Sequence, residues 1–170
     1  MKLYHYVIRK CTSDDAEGRG VVHYQSWQET YRGLMPDEFL DELDQKKLIQ
    51  RAKDSPDNSF VAVVDNKIVG FCSYLSECRD FVSIKPSSEI VALYVLKSHQ
   101  GFGIGKDLVK AVINKLSNEN LVLYVLEGNN QAINFYKYLG FSFTGISMEQ
   151  QVSGGVIKEL EMVLKIRNCL

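Results

Sequence analysis

The residues best suited to chemistry in this sequence are three glycines at alternate positions, Gly101, Gly103 and Gly105, within Gln100-Gly101-Phe102-Gly103-Ile104-Gly105-Lys106. Glycine lets backbone N–H groups approach an anion closely, and a helix start adds unpaired N–H groups and the positive end of the helix dipole. Alternating glycines exceed what a tight strand-to-helix turn needs, so the run reads as a loop for a phosphate or pyrophosphate. Its flanks suit that role. Residues 90–95 are apolar and partly β-branched, as in a buried strand. From Ile104 the apolar residues Leu108, Val109, Val112, Ile113 and Leu116 fall on one helical face, opposite Lys106, Asp107, Lys110, Asn114 and Lys115.

Three loop patterns compete. A Walker loop needs four residues between its first glycine and the Gly-Lys pair, then Ser or Thr for magnesium; here three residues separate Gly101 from Gly105, and Asp107 follows Lys106. A dinucleotide fingerprint needs a third glycine where Lys106 stands. Glu127, at the end of the next apolar run, is where a ribose-binding acid would sit, which keeps a dinucleotide-binding oxidoreductase as an alternative.

The third pattern is Gln/Arg-x-x-Gly-x-Gly/Ala, matched by Gln100 to Gly105. A second block, Asn129-Asn-Gln-Ala132-Ile-Asn-Phe-Tyr136-Lys-Tyr-Leu-Gly140-Phe141, follows in order. Together they resemble the GNAT superfamily of acyl-CoA-dependent N-acetyltransferases, and Leu93-Tyr94-Val95 resembles that family's central strand. The resembling segments span residues 60–165. Trp27, Tyr31, Gly33 and Pro36 are similar to a bacterial subgroup with polyamine and ribosomal-protein acceptors.

The resemblance implies roles. Acetyl-CoA is the cosubstrate, with its diphosphate on Gln100, Gly101, Phe102, Gly103, Ile104, Gly105 and Lys106. Backbone N–H groups of Leu93 and Val95 receive the carbonyl and the pantetheine amides, with Tyr94 between them also at the cofactor; Asn129 either meets the pantetheine arm or only caps its helix, and Asn134 reaches the cofactor from the helix face. Tyr136 is the general acid for the leaving thiolate, since a phenol is protonated at neutral pH; its other reading is a core aromatic beside Phe135, the likelier core residue. Glu89, eleven residues before Gln100, is either the base for the amine or a solvated residue at the strand mouth. Trp27 and Tyr31 wall the acceptor pocket, and Glu29, Asp37, Glu38 and Asp41 either attract a cationic amine or form a solvated face. A non-catalytic acyl-CoA-binding module is the second alternative.

Composition narrows the field. The 170 residues suggest a single domain over 1–170, which the resemblance implies is an N-acetyltransferase domain, large enough to bury roughly 70% of its unfolded surface. With 45% apolar and 24% charged residues and a net charge of −1, the chain reads as a cytoplasmic globule with no nucleic-acid partner and no membrane span. Cys11, Cys72, Cys78 and Cys169 lack zinc or disulfide spacing, and His5, His23 and His99 lack catalytic partners, so no metal is expected. The cysteines read as small buried side chains in a reducing compartment.

Elsewhere the pattern predicts a strand over 3–9, a helix from the Thr12-Ser13-Asp14 cap to Tyr31 weakened by Gly18 and Gly20, and a short helix from Pro36. A helix capped by Asp44, a turn at 55–58 and a hairpin of 60–64 with 68–75 around Asp65-Asn66 follow, its turn type left open by Lys67. A polar loop over 77–85 precedes the central strand. A strand over 121–126, a helix from Asn129 to Leu139 and a final hairpin around Ser153-Gly154-Gly155 complete the chain. Alternation of strand and helix in the middle makes the inner strands parallel. The expected fold is α/β (α+β): a mixed, mostly antiparallel central sheet with helices on both faces, its two parallel inner strands splayed, as the resemblance implies. The final apolar strand of such folds often mediates dimers, so a homodimer is an option by analogy.

Overall fold

The computed structural model describes residues 4–55 and 58–166; Leu3, the Pro56-Asp57 part of the expected turn, and Cys169 lie outside them. In chain order the elements are β1 (Val7–Lys10), α1 (Ala16–Tyr31), α2 (Asp37–Asp41), α3 (Gln45–Asp54), β2 (Ser59–Val64), β3 (Lys67–Leu75), β4 (Ser88–Val95), α4 (Ile104–Ile113), β5 (Asn120–Leu126), α5 (Asn130–Tyr138), β6 (Ser142–Val152) and β7 (Gly155–Lys165). One sheet orders the strands β1-β2-β3-β4-β5-β7-β6. β4 and β5 are parallel, and the pairs β1/β2, β2/β3, β5/β7 and β6/β7 are antiparallel. This is the mixed, mostly antiparallel sheet expected. The chain divides into two compact units, one from the described parts of 1–30, 42–73 and 92–115, the other from those of 31–41, 74–91 and 116–170.

In the first unit, helices cover both faces of the sheet. Val22 of α1 packs with Cys11, Val61 and Phe71. Because strand side chains alternate, the buried Phe60, Ala62 and Cys72 point the other way. There α4 lies on β1 and β2 and buries Ile104, Leu108, Val109 and Val112. α4 ends at Ile113, a turn short of Leu116, where Lys115 N–H bonds Val112 O at 2.8 Å. α1 is continuous through Gly18 and Gly20, which let it approach its neighbours. A Cβ at Gly18 would stand 2.7 Å from Ile68 Cγ1, and one at Gly20 would stand 2.7 Å from the Ile49 Cα. Of the expected Thr12-Ser13-Asp14 cap, Thr12 is the N-cap, and Asp15 completes a capping box: its carboxylate accepts from Thr12 N–H at 2.8 Å and takes a two-pronged ion pair from Arg9 at 2.7 Å. Asp44 caps α3 as expected, accepting from Lys46 N–H at 2.8 Å. In the β2–β3 turn, Asp65 and Asn66 have φ of 46° and 62°, which makes it a type I′ turn that matches the twist of the strands.

His23 of α1 stacks on Tyr94 at 5.0 Å and meets Trp27 edge-on at 5.7 Å. Burial first, then the charges of Arg51 and Arg19, push its pKa down to about 4. A histidine kept neutral in the fold but free to protonate when unfolded stabilises fully above pH 6.5, and that stability drains away as pH falls from 6.5 towards 4. At about 1.4 kcal/mol per pH unit the loss by pH 4 is ~3 kcal/mol. We expect His23→Phe to flatten the fall in melting temperature between pH 6.5 and 4, measured by circular dichroism; an unchanged slope would assign the acid sensitivity elsewhere.

In the second unit, the parallel register runs from Ser88↔Leu121 to Ile90↔Leu123, and β7 pairs along all of β5 from Asn120↔Lys165 to Leu126↔Glu159. β7 therefore lies between β5 and β6, and both of its backbone sides are used. The final strand has no free edge, and β6 is the outer strand. Its register with β7 shifts between Phe143 and Ser147, where Gly145 has φ 90°. α5 begins at its cap Asn129, and Gly140, at φ 98°, follows its end.

Candidate active site

The glycine loop lies in the first unit. Gly101 and Gly103 have φ of 83° and 92°, in the left-handed region where a side chain is strained. Gly103 is the N-cap of α4, and the first bond of the helix runs from Asp107 N–H to Gly103 O at 3.0 Å. The N–H groups of a first turn have no acceptor within their own helix, so they point outward from the loop. Gln100 fixes the other end: its side-chain Nε2 donates to Val95 O at 2.9 Å, tying the loop back to β4. Phe102 is 49% exposed and stacks on Tyr4 with centroids 4.0 Å apart, while Lys106 is exposed.

β4 changes character along its length. Ser88, Glu89 and Ile90 are buried, Val91 is 41% exposed, and Ala92, Leu93, Tyr94 and Val95 are half-buried. The parallel register of β4 with β5 runs from Ser88↔Leu121 to Ile90↔Leu123, so Leu93 and Val95 lie beyond it. The Tyr94 ring is occupied, stacked on His23 with Phe71 edge-on at 5.7 Å. Through His23, Trp27 on α1 and Tyr94 on β4 join one aromatic cluster.

The second unit holds the expected acid and base. Tyr136 is 9% exposed on α5, with Phe135 and Phe141 edge-on at 5.3 and 5.6 Å. Phe135 is only half-buried, so of the two neighbours it is Tyr136, not Phe135, whose ring goes deepest. α5 also carries Asn134, which is exposed. Asn129 is buried and its side chain accepts from Ala132 N–H at 3.2 Å, the capping geometry.

Glu89 is 0% exposed, which corrects the reading of a solvated residue at a strand mouth. Its carboxylate accepts from Arg79 backbone N–H at 3.1 Å and from Arg79 Nε at 3.0 and 3.1 Å, and pairs with Arg79 Nη2. The guanidinium is held protonated chiefly by that bond. A second buried carboxylate, Glu161 on β7, accepts from Tyr124 Oη at 2.6 Å, Thr144 Oγ1 at 2.7 Å, Ser83 N–H at 3.0 Å and the Ser83 hydroxyl. Burial raises its pKa, but the Ser83, Tyr124 and Thr144 bonds prevail and hold it below the usual range. Glu159, two residues before it, is pushed up by burial and by Glu89, against the pull of Arg79. Arg79 and Ser83 both lie in the 77–85 loop. Its polarity carried no periodic signal, and the sequence reading gave its residues no role.

The acidic residues near Trp27 and Tyr31 have internal partners. Asp37 and Asp41 pair with Arg32 at 3.2 and 2.6 Å, and Glu29 accepts from Lys97 N–H at 3.0 Å and from Gln25 at 2.8 Å. The α2 segment rests against the β6–β7 turn, where a Cβ at Gly154 would lie 3.1 Å from Pro36 Cβ. Among the described residues, no cluster of His, Cys, Asp and Glu is placed to hold a metal ion, and no helix is long and apolar enough to cross a membrane.

A glycine loop feeds a helix N-terminus after a buried to half-buried strand. Residues 23–141 match the model of the Acetyltransferase (GNAT) family. A probable N-acetyltransferase of Mycobacterium tuberculosis is 23% identical over 162 residues, covering 92% of this chain and 91% of that protein. A ribosomal-protein-alanine N-acetyltransferase from Brucella melitensis superposes with a TM-score of 0.72 at 24% identity, over 94% of this chain and 99% of that one. A protein from Salmonella typhimurium described as a putative acetyltransferase, solved with acetyl-CoA, has a TM-score of 0.69 at 18% identity, over 95% and 94% of the two chains. The chain belongs to the GNAT acetyltransferase family and is an acyl-CoA-dependent N-acetyltransferase.

Proposed function

We propose that this chain, as one N-acetyltransferase domain, moves the acetyl group of acetyl-CoA to a primary amine by direct attack in a ternary complex. The acceptor is a small polyamine-like amine or a protein N-terminus or lysine. The observation that carries the reading is the pair of left-handed glycines, Gly101 and Gly103, at the start of α4, with Gln100 anchored to Val95 O. Main-chain donors arranged so are already oriented towards the diphosphate of the cosubstrate. The ribosomal-protein-alanine acetyltransferase among the structural neighbours supports the protein-amine branch of the acceptor.

The chemistry assigns three tasks. The neutral amine nitrogen attacks the thioester carbonyl carbon, the nitrogen loses a proton, and the C–S bond breaks to give a thiolate that takes up a proton. Backbone N–H groups of Leu93 and Val95 bind the carbonyl oxygen as it gains charge, and the pantetheine amides. Asn129 and Asn134 line the same arm, with Tyr94 and Phe102 beside the cosubstrate. Tyr136 gives the thiolate its proton. Glu89 receives the amine proton, directly or through water, once Arg79 yields a hydrogen bond. Trp27 and Tyr31 contact the acceptor.

A free-thiol assay with acetyl-CoA over polyamines, amino acids, aminoglycosides and peptides tests the whole reading: thiol release with one acceptor class is expected, and tight coenzyme binding without release would leave a binding module instead. Glu89→Gln tests the base. Its kcat should fall about a hundredfold, mostly below the pKa of the acceptor amine, where a proton must be removed. A pH–rate profile identical to wild type would take Glu89 out of the mechanism.

A further inference from the structure

The segment entering β1 lies on the phosphate loop. Tyr4 stacks on Phe102 at an interplanar angle of 14°, and the hydroxyl of Tyr6 would stand 3.2 Å from a Cβ at Gly103. The same hydroxyl donates to Asp107 Oδ2 at 2.7 Å. Asp107 is the acidic residue of the first turn of α4, the turn whose N–H groups are offered to the diphosphate. A carboxylate beside a helix N-terminus is attracted by the same N–H groups and dipole that attract a phosphate. Left untethered, Asp107 is an internal anion competing for the loop, and its charge repels the ligand's.

We propose that Tyr6 is a positioning residue for cosubstrate binding: its hydroxyl holds the Asp107 carboxylate aside, so that the first turn of α4 accepts the diphosphate of coenzyme A rather than the protein's own aspartate. This rests on the acetyl-CoA reading of the loop. Burial, and then the bond to Asp107, push the Tyr6 phenol up to about 12, so it stays a donor throughout the working pH range. Tyr6 touches no reacting atom; it acts through Asp107.

The test measures coenzyme A binding by calorimetry and turnover with both acetyl-CoA and S-acetylpantetheine, which lacks the diphosphate. Tyr6→Phe should weaken coenzyme A binding about fivefold and raise the acetyl-CoA KM to match. Its kcat, its amine KM and its rate with S-acetylpantetheine should stay at wild-type values. Asp107→Asn should bind coenzyme A at least as tightly as wild type, and adding Tyr6→Phe to it should change nothing more. Unchanged affinity in Tyr6→Phe, the same loss in the Asp107→Asn background, or weakened binding in Asp107→Asn alone would overturn the proposal while leaving the acetyltransferase reading standing. A wild-type chain that binds no coenzyme A would overturn both.

Discussion

Tyr136→Phe should lower kcat by about a hundredfold or more, the usual worth of a positioned general acid, with the acetyl-CoA KM nearly unchanged. The substitution removes one oxygen and keeps the ring. That ring is buried between Phe135 and Phe141, so the packing of α5 survives and the melting temperature should move little. A core role alone predicts kcat intact as well, because the packing is kept. The two readings separate further with the leaving group. An acetyl thioester of a more acidic thiol needs less help from an acid, so the defect should shrink with such a substrate. A kcat near wild type with acetyl-CoA itself would remove Tyr136 from the chemistry.

The second large effect is expected at Gly103. Its φ of 92° is strained for any side chain, and an added Cβ would stand 3.2 Å from the Tyr6 hydroxyl. Gly103→Val adds β-branching to both problems, and the loop must either flatten its backbone or displace Tyr6. The left-handed conformation alone costs roughly 1–2 kcal/mol, and a loop that leaves it no longer aims its N–H groups at an anion. The acetyl-CoA KM should therefore rise by more than about tenfold, with a smaller change in kcat at saturation. Gly101→Ala provides the internal control. Position 101 has φ 83° but nothing within 4 Å of an added Cβ, so only the backbone term applies and the loss should be milder. Equal losses at the two positions would mean that crowding by Tyr6 plays no part.

Much of this was legible in the sequence because the signals are local. Glycine spacing and the 3.6-residue apolar period located α4 and its loop, Asp44 marked the start of α3, and the Asn129 and Gly140 pair bracketed α5. What escaped shares one cause: it depends on residues far apart in the chain. Arg79 meets Glu89 across a loop turn, and Ser83 meets Glu161 from 78 positions away. Tyr6 reaches Asp107 over 101 positions. No periodicity encodes such pairs. Gly18 and Gly20 illustrate the same limit: propensity counts them as helix-weakening, whereas tertiary packing against Ile68 and Ile49 uses their missing side chains. A solvated Glu89 stayed open as one of two readings because a carboxylate at a strand mouth often is; its cation comes from a stretch with no pattern.

The shifted register in β6 has a consequence for behaviour at high concentration. An outer strand of eleven residues, with Phe143 and Ile146 exposed, would ordinarily be a template on which further chains could stack into fibrils. The irregularity around Gly145 cuts that template into one stretch of two residues and another of six, neither long nor flat enough to seed growth. Straightening the bend, by removing the two extra residues that β6 carries around Gly145, would trade a native irregularity for a propensity to precipitate.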